Sequence, residues 1–211
     1  MADRSLDRLM RKVAQAVGDR RVLDAMRAVP RADFVPEPMQ GYAFEDFPLP
    51  IGYGQTISQP KMVAIMTAAL ELSGTEHVLE IGTGSGYQAA ILAKLAGDVV
   101  SVEVVAELRE RAAQLLKKLG IGNVMVLDPG EQLGSPAGGP YDRIVVTAAC
   151  PTISAPLIEQ LSVGGLLVLP VGSRTAQDLI VIRKTHRGIE ETRLGGCHFV
   201  PLVGPQGFEP T

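Results

Sequence analysis

The chain has 211 residues, 46% of them hydrophobic, enough for one good core and a small appended subdomain. Twenty Lys and Arg against 23 Asp and Glu give a formal charge of −3, which provides no general basic field for non-specific nucleic-acid binding. The opening "MADRSLDRLMRKVAQAVGD" carries charges every few residues and has no apolar run long enough for a secretion signal or a membrane span, so a cytoplasmic protein is expected.

Leu6, Leu9, Met10, Val13 and Val17, then Val22, Leu23 and Met26, fall at helical spacing and predict an N-terminal helical pair over 5–17 and 19–28. Residues 29–55 hold five prolines and three glycines, too many for a long helix or a central strand. This stretch is expected to be a loop ordered by burying its aromatic side chains. A largely buried helix follows over 60–72, closed by Ser73 and Gly74.

From there the pattern alternates. "HVLEI" (77–81), "DVVSVEV" (98–104), "NVMVL" (123–127), "RIVVTAA" (143–149) and "LLVLPVG" (166–172) read as strands, with helices at 86–96, 106–119 and 153–162. Such alternation predicts an α/β fold: a doubly wound, mostly parallel sheet covered on both faces. "DLIVIRKT" and "IEETRLGGCHFVPLV" are strand-like runs joined by "HRG", consistent with an antiparallel hairpin at the sheet edge. The expected organisation is one domain over 1–211. Residues 1–58 supply helices and a substrate loop, 59–175 the cofactor-binding core, and 176–211 the C-terminal strands and a substrate wall.

"VLEIGTGSGYQ" puts Gly82, Gly84 and Gly86 directly after the first core strand, at the mouth of a helix. Glycines there permit a tight turn and close approach of a ligand to the backbone, while the helix start offers free N–H groups. The spacing is G-x-G-x-G, not the dinucleotide G-x-G-x-x-G. Glu80, two places earlier, can meet a cationic amino-acid moiety but would repel a pyrophosphate. Glu103, closing the second core strand, is placed to accept hydrogen bonds from ribose hydroxyls, as it would in either cofactor class. The pair favours S-adenosylmethionine, with a nicotinamide dinucleotide as the competing reading.

In "TISQPK", Ser58 stands just ahead of Pro60, near the expected start of the helix at 60–72. There a hydroxyl, free amides and the positive end of the helix dipole would favour an anion. On spacing alone, Ser58 as a plain helix cap and Thr56 as a turn residue remain open. His77, His186 and His198 form no metal set, and none lies near the two proposed sites. Cys150 and Cys197 match no metal-ligand spacing and read as two reduced thiols. No metal site is expected.

"GQTISQPKMVA", "VLEIGTGSGYQAAILA", "IVVTAA", "GGLLVLPVG" and "FVPLVGPQGF" occur in the order and spacing of the protein-L-isoaspartate O-methyltransferases, which the chain resembles from about Val29 to Phe208. The resemblance implies methyl transfer from S-adenosylmethionine to the carboxyl of L-isoaspartyl residues in damaged proteins, and often of D-aspartyl residues. It carries the active-site serine onto Ser58, with Thr56 beside it, and the cofactor loop onto Glu80, Gly82, Thr83, Gly84 and Gly86, with Glu103 at the ribose. It also implies cofactor contact from Gln55, Thr56, Ile57 and Ser58, and a substrate wall from Thr147, Ala148 and Ala149 together with Val200, Pro201 and Leu202.

The family's Gly-Asp-Gly after the third core strand is Pro129, Gly130 and Glu131 here. The adenine end is therefore expected at Asp128 or Glu131 with a shifted loop, or at backbone groups around Gly130. Partners implied are isoaspartyl-containing proteins and peptides, with no nucleic acid and no membrane, and a monomer is expected. A carboxylate is already ionised at neutral pH, its reference pKa being about 4, so its methylation needs no general base. Two alternatives come from other classes. A methyltransferase acting on nucleic acid or a small molecule lacks support, since "VTAACP" has no Asn/Asp-Pro-Pro-aromatic segment. A binding-only member is kept open by the altered 129–131 segment.

Overall fold

Apolar strands separated by helices cannot pair as hairpins and must cross over, which stacks them in parallel with helices on both faces. The computed structural model describes residues 2–204 and 206–208; Met1, Pro205 of the "FVPLVGPQGF" segment and 209–211 lie outside the described residues. The helical elements are α1 (Ala2–Ala16), α2 (Arg20–Ala28), α3 (Pro60–Ala69), α4 (Tyr87–Leu92), α5 (Ala106–Lys118) and α6 (Ala155–Gln160). The strands are β1 (Leu49–Gly52), β2 (Gln55–Ile57), β3 (His77–Ile81), β4 (Asp98–Val102), β5 (Val124–Leu127), β6 (Tyr141–Val146), β7 (Leu161–Gly172), β8 (Gln177–Thr185) and β9 (Gly188–Cys197).

Among the described residues the main sheet has the order β5-β4-β3-β6-β7-β8-β9. β5 through β7 run parallel, and β8 and β9 add antiparallel. The α/β expectation and the edge hairpin both hold. Alternate residues of the strands feed two cores. Val78, Val99, Val145 and Val168 join the helices α1 to α5 on one face, and Leu79, Val100, Ile144 and Leu167 meet α6 on the other. The edge strand β9 is exposed along Glu190, Glu191, Thr192 and Arg193, a charged border that discourages further strand addition. No helix among the described residues is long and apolar enough to cross a membrane.

Element ends differ from the sequence expectation for local reasons. α3 stops at Ala69 because Leu70 bonds back to Thr67 in a tighter turn and Glu71 takes the left-handed conformation at φ 50°. α4 stops at Leu92, where Lys94 and Leu95 bond three residues back to Ile91 and Leu92. α6 is likewise shorter than 153–162, and β7 begins at Leu161. β4 ends at Val102, β6 at Val146 and β9 at Cys197, short of the runs that composition suggested.

The loop at 29–55 is ordered, with aromatic burial met only in part, since Phe44 packs against the core. Phe34 is buried, whereas Tyr42, Phe47 and Tyr53 are exposed. Besides the buried Val35, Ala43, Leu49 and Ile51, the loop is tied down by Arg31, which is 2% exposed. Its Nε donates to the Ala43 carbonyl at 3.0 Å and its Nη2 to the Ser58 carbonyl at 2.8 Å. The guanidinium lies 4.6 Å from the centre of the Tyr87 ring, which Phe34 meets edge-on.

A second polar anchor sets the start of β3. The Glu76 carboxylate accepts hydrogen bonds from the amides of Ser73, Gly74 and Thr75 and from the Ser73 hydroxyl, and its own carbonyl accepts from Gly97 at the entry to β4. Burial pushes this carboxyl up, but the Ser73 hydroxyl and the turn amides outweigh it and hold it at about 2. With the folded value below the unfolded one, the contribution is present above about pH 4.5 and is lost as pH falls toward 2. It is on the order of 3 kcal/mol. Glu76→Gln is expected to lower stability by a few kcal/mol at pH 7 and to flatten the pH dependence in that acid window, measured by urea unfolding across pH.

Candidate active site

In a doubly wound sheet the chain leaves neighbouring central strands toward opposite sides, opening a crevice at their carboxyl ends. Here those strands are β3, which leads out to β4, and β6, which leads to β7. The glycine loop sits over this point, and its three glycines divide the work. Gly82, at φ 97°, lies against β6: a Cβ there would be 2.5 Å from the Thr147 hydroxyl, which itself donates to the Gly82 carbonyl at 2.6 Å. Gly84, at φ 53°, faces the crevice. Gly86, at φ 87°, precedes α4 and packs against Ala112 of α5, so its place is structural and away from the crevice lining.

Two carboxyls stand behind the loop. Glu103 lines the crevice and accepts from Gly84 N at 2.7 Å and Val105 N at 2.9 Å, one on each oxygen, leaving further lone pairs free. Glu80 is fully buried beneath the loop, with Oε2 accepting from the Ser101 hydroxyl and Oε1 without a partner.

An inner cavity joins the glycine loop to the Thr-Ile-Ser segment, lined by Thr56, Ser58, Gly82, Thr83, Gly84, Gln88 and Thr147 among others. Thr56 also borders the outer crevice, together with Gln55. Ser58 is not the helix cap that its spacing suggested. Gln59 holds the cap position without a side-chain bond, and Asp46 from the preceding loop accepts from Lys61 N in its place. Gln59 in turn donates to the Asp46 carbonyl. Ser58 is thereby released from capping, while its carbonyl is fixed by Arg31.

The far walls are met in part. Thr147, Ala148, Val200, Pro201 and Leu202 line the outer crevice. Ala149 does not: it is fully buried, donates to the Val200 carbonyl and accepts from Leu202 N. The backbones at 149, 200 and 202 thus satisfy each other, so they offer no free strand edge at that wall. At the other end Gly130 borders the crevice, but Asp128 turns outward to pair with Arg109 at 2.8 Å, and Glu131 is exposed outside the lining.

Sequence reasoning passed over Val104, Leu133 and Gly134, which line that end. Gln160 of α6 holds this loop, donating to the Leu133 carbonyl and accepting from Ser135 N. The one sequence signal for Val104 was an apolar residue directly after Glu103; in the fold it stays 48% exposed.

These residues fit an adenosine-bearing ligand with an amino-acid tail. Apolar walls at Val104 and Leu133 suit a base, Glu103 can accept from vicinal hydroxyls, and the unpartnered Glu80 oxygen lies beneath the loop. No Lys, Arg or His is among the described residues lining either space. Among the described residues there is also no cluster of His, Cys, Asp or Glu able to hold a metal.

Comparison with known proteins agrees with this geometry. The protein-L-isoaspartate(D-aspartate) O-methyltransferase family model matches residues 5–207. Protein-L-isoaspartate O-methyltransferase 1 of Syntrophobacter fumaroxidans is 53% identical over 197 residues, covering 93% of this chain and 92% of the relative. The protein-L-isoaspartate O-methyltransferase of Methanoculleus marisnigri is 52% identical over 196 residues, covering 93% and 89%. Among solved structures, a protein-L-isoaspartate O-methyltransferase superposes with a TM-score of 0.85 at 27% identity, over 95% of this chain and 66% of the other. A Plasmodium falciparum chain in complex with S-adenosyl-L-homocysteine shares the fold at a TM-score of 0.80 and 24% identity, over 92% and 96%. With the glycine loop, the two placed acids and the serine segment all carried on a fold matched along nearly its whole length, the chain belongs to the protein-L-isoaspartate(D-aspartate) O-methyltransferase family.

Proposed function

We propose that this chain transfers a methyl group from S-adenosylmethionine to the free α-carboxylate of L-isoaspartyl residues, and to the side-chain carboxylate of D-aspartyl residues, in damaged proteins and peptides, the step that initiates their repair. The observation that carries this reading is the inner cavity, where Ser58 and the glycine loop share one lining that holds no basic side chain. When bound, S-adenosylmethionine supplies an electrophilic sulfonium methyl. The chain's own task is then placement, since an ionised carboxylate attacks without a base.

In this reading the Ser58 hydroxyl donates to one carboxylate oxygen and leaves the other free to attack, with Thr56 beside it at the junction of the two spaces. The residues assigned to the cofactor are Gln55, Thr56, Ile57, Glu80, Gly82, Thr83, Gly84 and Glu103, with Gly130, Val104 and Leu133 at the adenine end. Thr147, Ala148, Val200, Pro201 and Leu202 are assigned to the substrate wall. The same reading takes the chain as one methyltransferase domain that works as a cytoplasmic monomer on protein substrates, with neither nucleic acid nor membrane as partner; the near-neutral charge balance supports it.

The direct test pairs labelled S-adenosylmethionine with two peptides differing only in L-isoaspartate or normal aspartate at one place. A base-labile methyl ester on the isoaspartyl peptide alone is the expected outcome, and label on neither peptide would overturn the reading. Ser58→Ala removes one hydrogen bond to a charged acceptor, worth about 1.5–3 kcal/mol, so turnover is expected to fall roughly 10- to 100-fold while cofactor affinity changes little. Equal loss of turnover and affinity would remove Ser58 from the acceptor site. Glu103→Ala is expected to show the opposite division, weakening S-adenosylhomocysteine binding roughly tenfold or more in calorimetric titration.

A further inference from the structure

Glu80 has a feature that methyl transfer by itself does not require. Its Oε2 is 2.5 Å from the Ser101 hydroxyl, and that hydroxyl is 2.5 Å from the hydroxyl of Thr83. Ser101 is fully buried on β4, and Thr83 reaches the lining of the inner cavity beside Ser58. A buried carboxyl, two hydroxyls and a cavity wall therefore form one continuous chain.

Each hydroxyl has a single proton to donate, so the polarity of the chain follows the charge of the carboxyl. With Glu80 ionised, Ser101 donates to it, Thr83 donates to Ser101, and the lone pairs of Thr83 are left for the cavity. With Glu80 neutral, the carboxyl can donate to Ser101 and Ser101 to Thr83, which turns the Thr83 proton toward the cavity. An ionised Glu80 thus presents an acceptor there, and a neutral one presents a donor.

The surroundings favour the neutral form in the free protein. Burial pushes the Glu80 carboxyl up to about 8; the Ser101 hydrogen bond acts against this, and the negative charge of Glu103 adds to it. The helices packed on that face bring Thr67 from α3 and Tyr87 and Gln88 from α4, all uncharged, and the Gln88 Oε1 is likewise buried without a partner. The Arg31 guanidinium is engaged by Ala43, Ser58 and the Tyr87 ring. On β6, Arg143 is engaged at the Leu70 carbonyl. Among the described residues no cation is bonded to the Glu80 carboxyl, whose Oε2 meets Ser101 and whose Oε1 has no partner.

We propose that Glu80, Ser101 and Thr83 form a proton-linked relay that recognises the α-ammonium group of the S-adenosyl ligand: docking of that cation at the Thr83 end draws Glu80 into its charged form and expels one proton to solvent. The inference rests on the reading that S-adenosyl ligands bind in this crevice. The proton balance is simple, because the carboxyl of the free protein becomes the carboxylate of the complex and buffer takes up the difference. It also assigns a role to Ser101, which touches neither cavity: it positions the charge of Glu80 behind Thr83.

The test is calorimetric titration of the full chain at pH 7 in two buffers of different ionisation enthalpy, with S-adenosylhomocysteine and, separately, 5′-methylthioadenosine, which keeps the adenosine and lacks the amino-acid tail. Close to one proton released per S-adenosylhomocysteine, and none per methylthioadenosine, is the expected result. Glu80→Gln should still bind S-adenosylhomocysteine but release no proton, with the free variant melting near the parent because the amide replaces a mostly neutral carboxyl. Ser101→Ala should also lose the release and gives an independent check if the first variant folds poorly. Tight binding of S-adenosylhomocysteine without proton release, or unchanged release from Glu80→Gln, would overturn the relay and leave the cofactor reading standing. Failure of both ligands to bind would overturn the cofactor reading and the relay with it.

Discussion

A buried guanidinium fixes the relation between the N-terminal third of the chain and the sheet. Arg31 has almost no exposed surface, so the cost of burying its charge has to be offset by close partners. It finds them in two carbonyls, Ala43 and Ser58, that belong to different parts of the chain, and in the face of Tyr87 at the first turn of α4. Charge-assisted hydrogen bonds of this kind are worth about 1.5–3 kcal/mol each, and an unsatisfied buried charge costs more. The prolines of residues 29–55 stiffen that loop, but Arg31 decides where it lies. Because Tyr87 also lines the inner cavity, the same contact holds the serine segment at a set distance from the glycine loop.

Packing supplies the complementary constraint. At the switch point β3 and β6 are neighbours, and the Thr147 hydroxyl occupies the space where a Cβ at position 82 would stand. The turn out of β3 is therefore pressed against the segment that begins at Thr147, so that the glycine loop and that segment share an atom-to-atom contact. Gly86 performs the equivalent service between α4 and α5. Positive φ and close approach are required together at both places, and glycine meets both demands.

Much of this was legible in the residues. Strand after strand of Val, Ile and Leu separated by helical spacing could form little except a parallel sheet, and "VLEIGTGSG" announced the loop over its switch point. What stayed hidden depended on partners distant in sequence. Ser58 looks like a cap until Asp46, twelve residues earlier, is seen to serve Lys61 instead. Asp128 and Glu131 resemble replacements for a missing acid, yet Arg109 draws the first outward and Gln160 shapes the loop so that Leu133 and Gly134 border the crevice. The strand-like runs that reach 149 and 203 are joined to each other where Ala149 pairs with Val200 and Leu202. Helix ends escaped for a more local reason, since a left-handed Glu71 gives no compositional warning.

The absence of cations from the described lining has its own logic. Acceptor and donor carry opposite charge when they meet, so a lysine or arginine at the acceptor end would compete with the sulfonium for the carboxylate and weaken it as a nucleophile. Hydroxyls and amides can orient a carboxylate oxygen without withdrawing its charge in that way. The acids lie instead behind the glycine loop, where Glu103 and Glu80 can favour a cationic ligand from the side away from the acceptor. In the proposed reaction Ser58 in front and the two carboxyls behind would divide recognition by charge, with the cavity between them as the place where the two partners are brought into line.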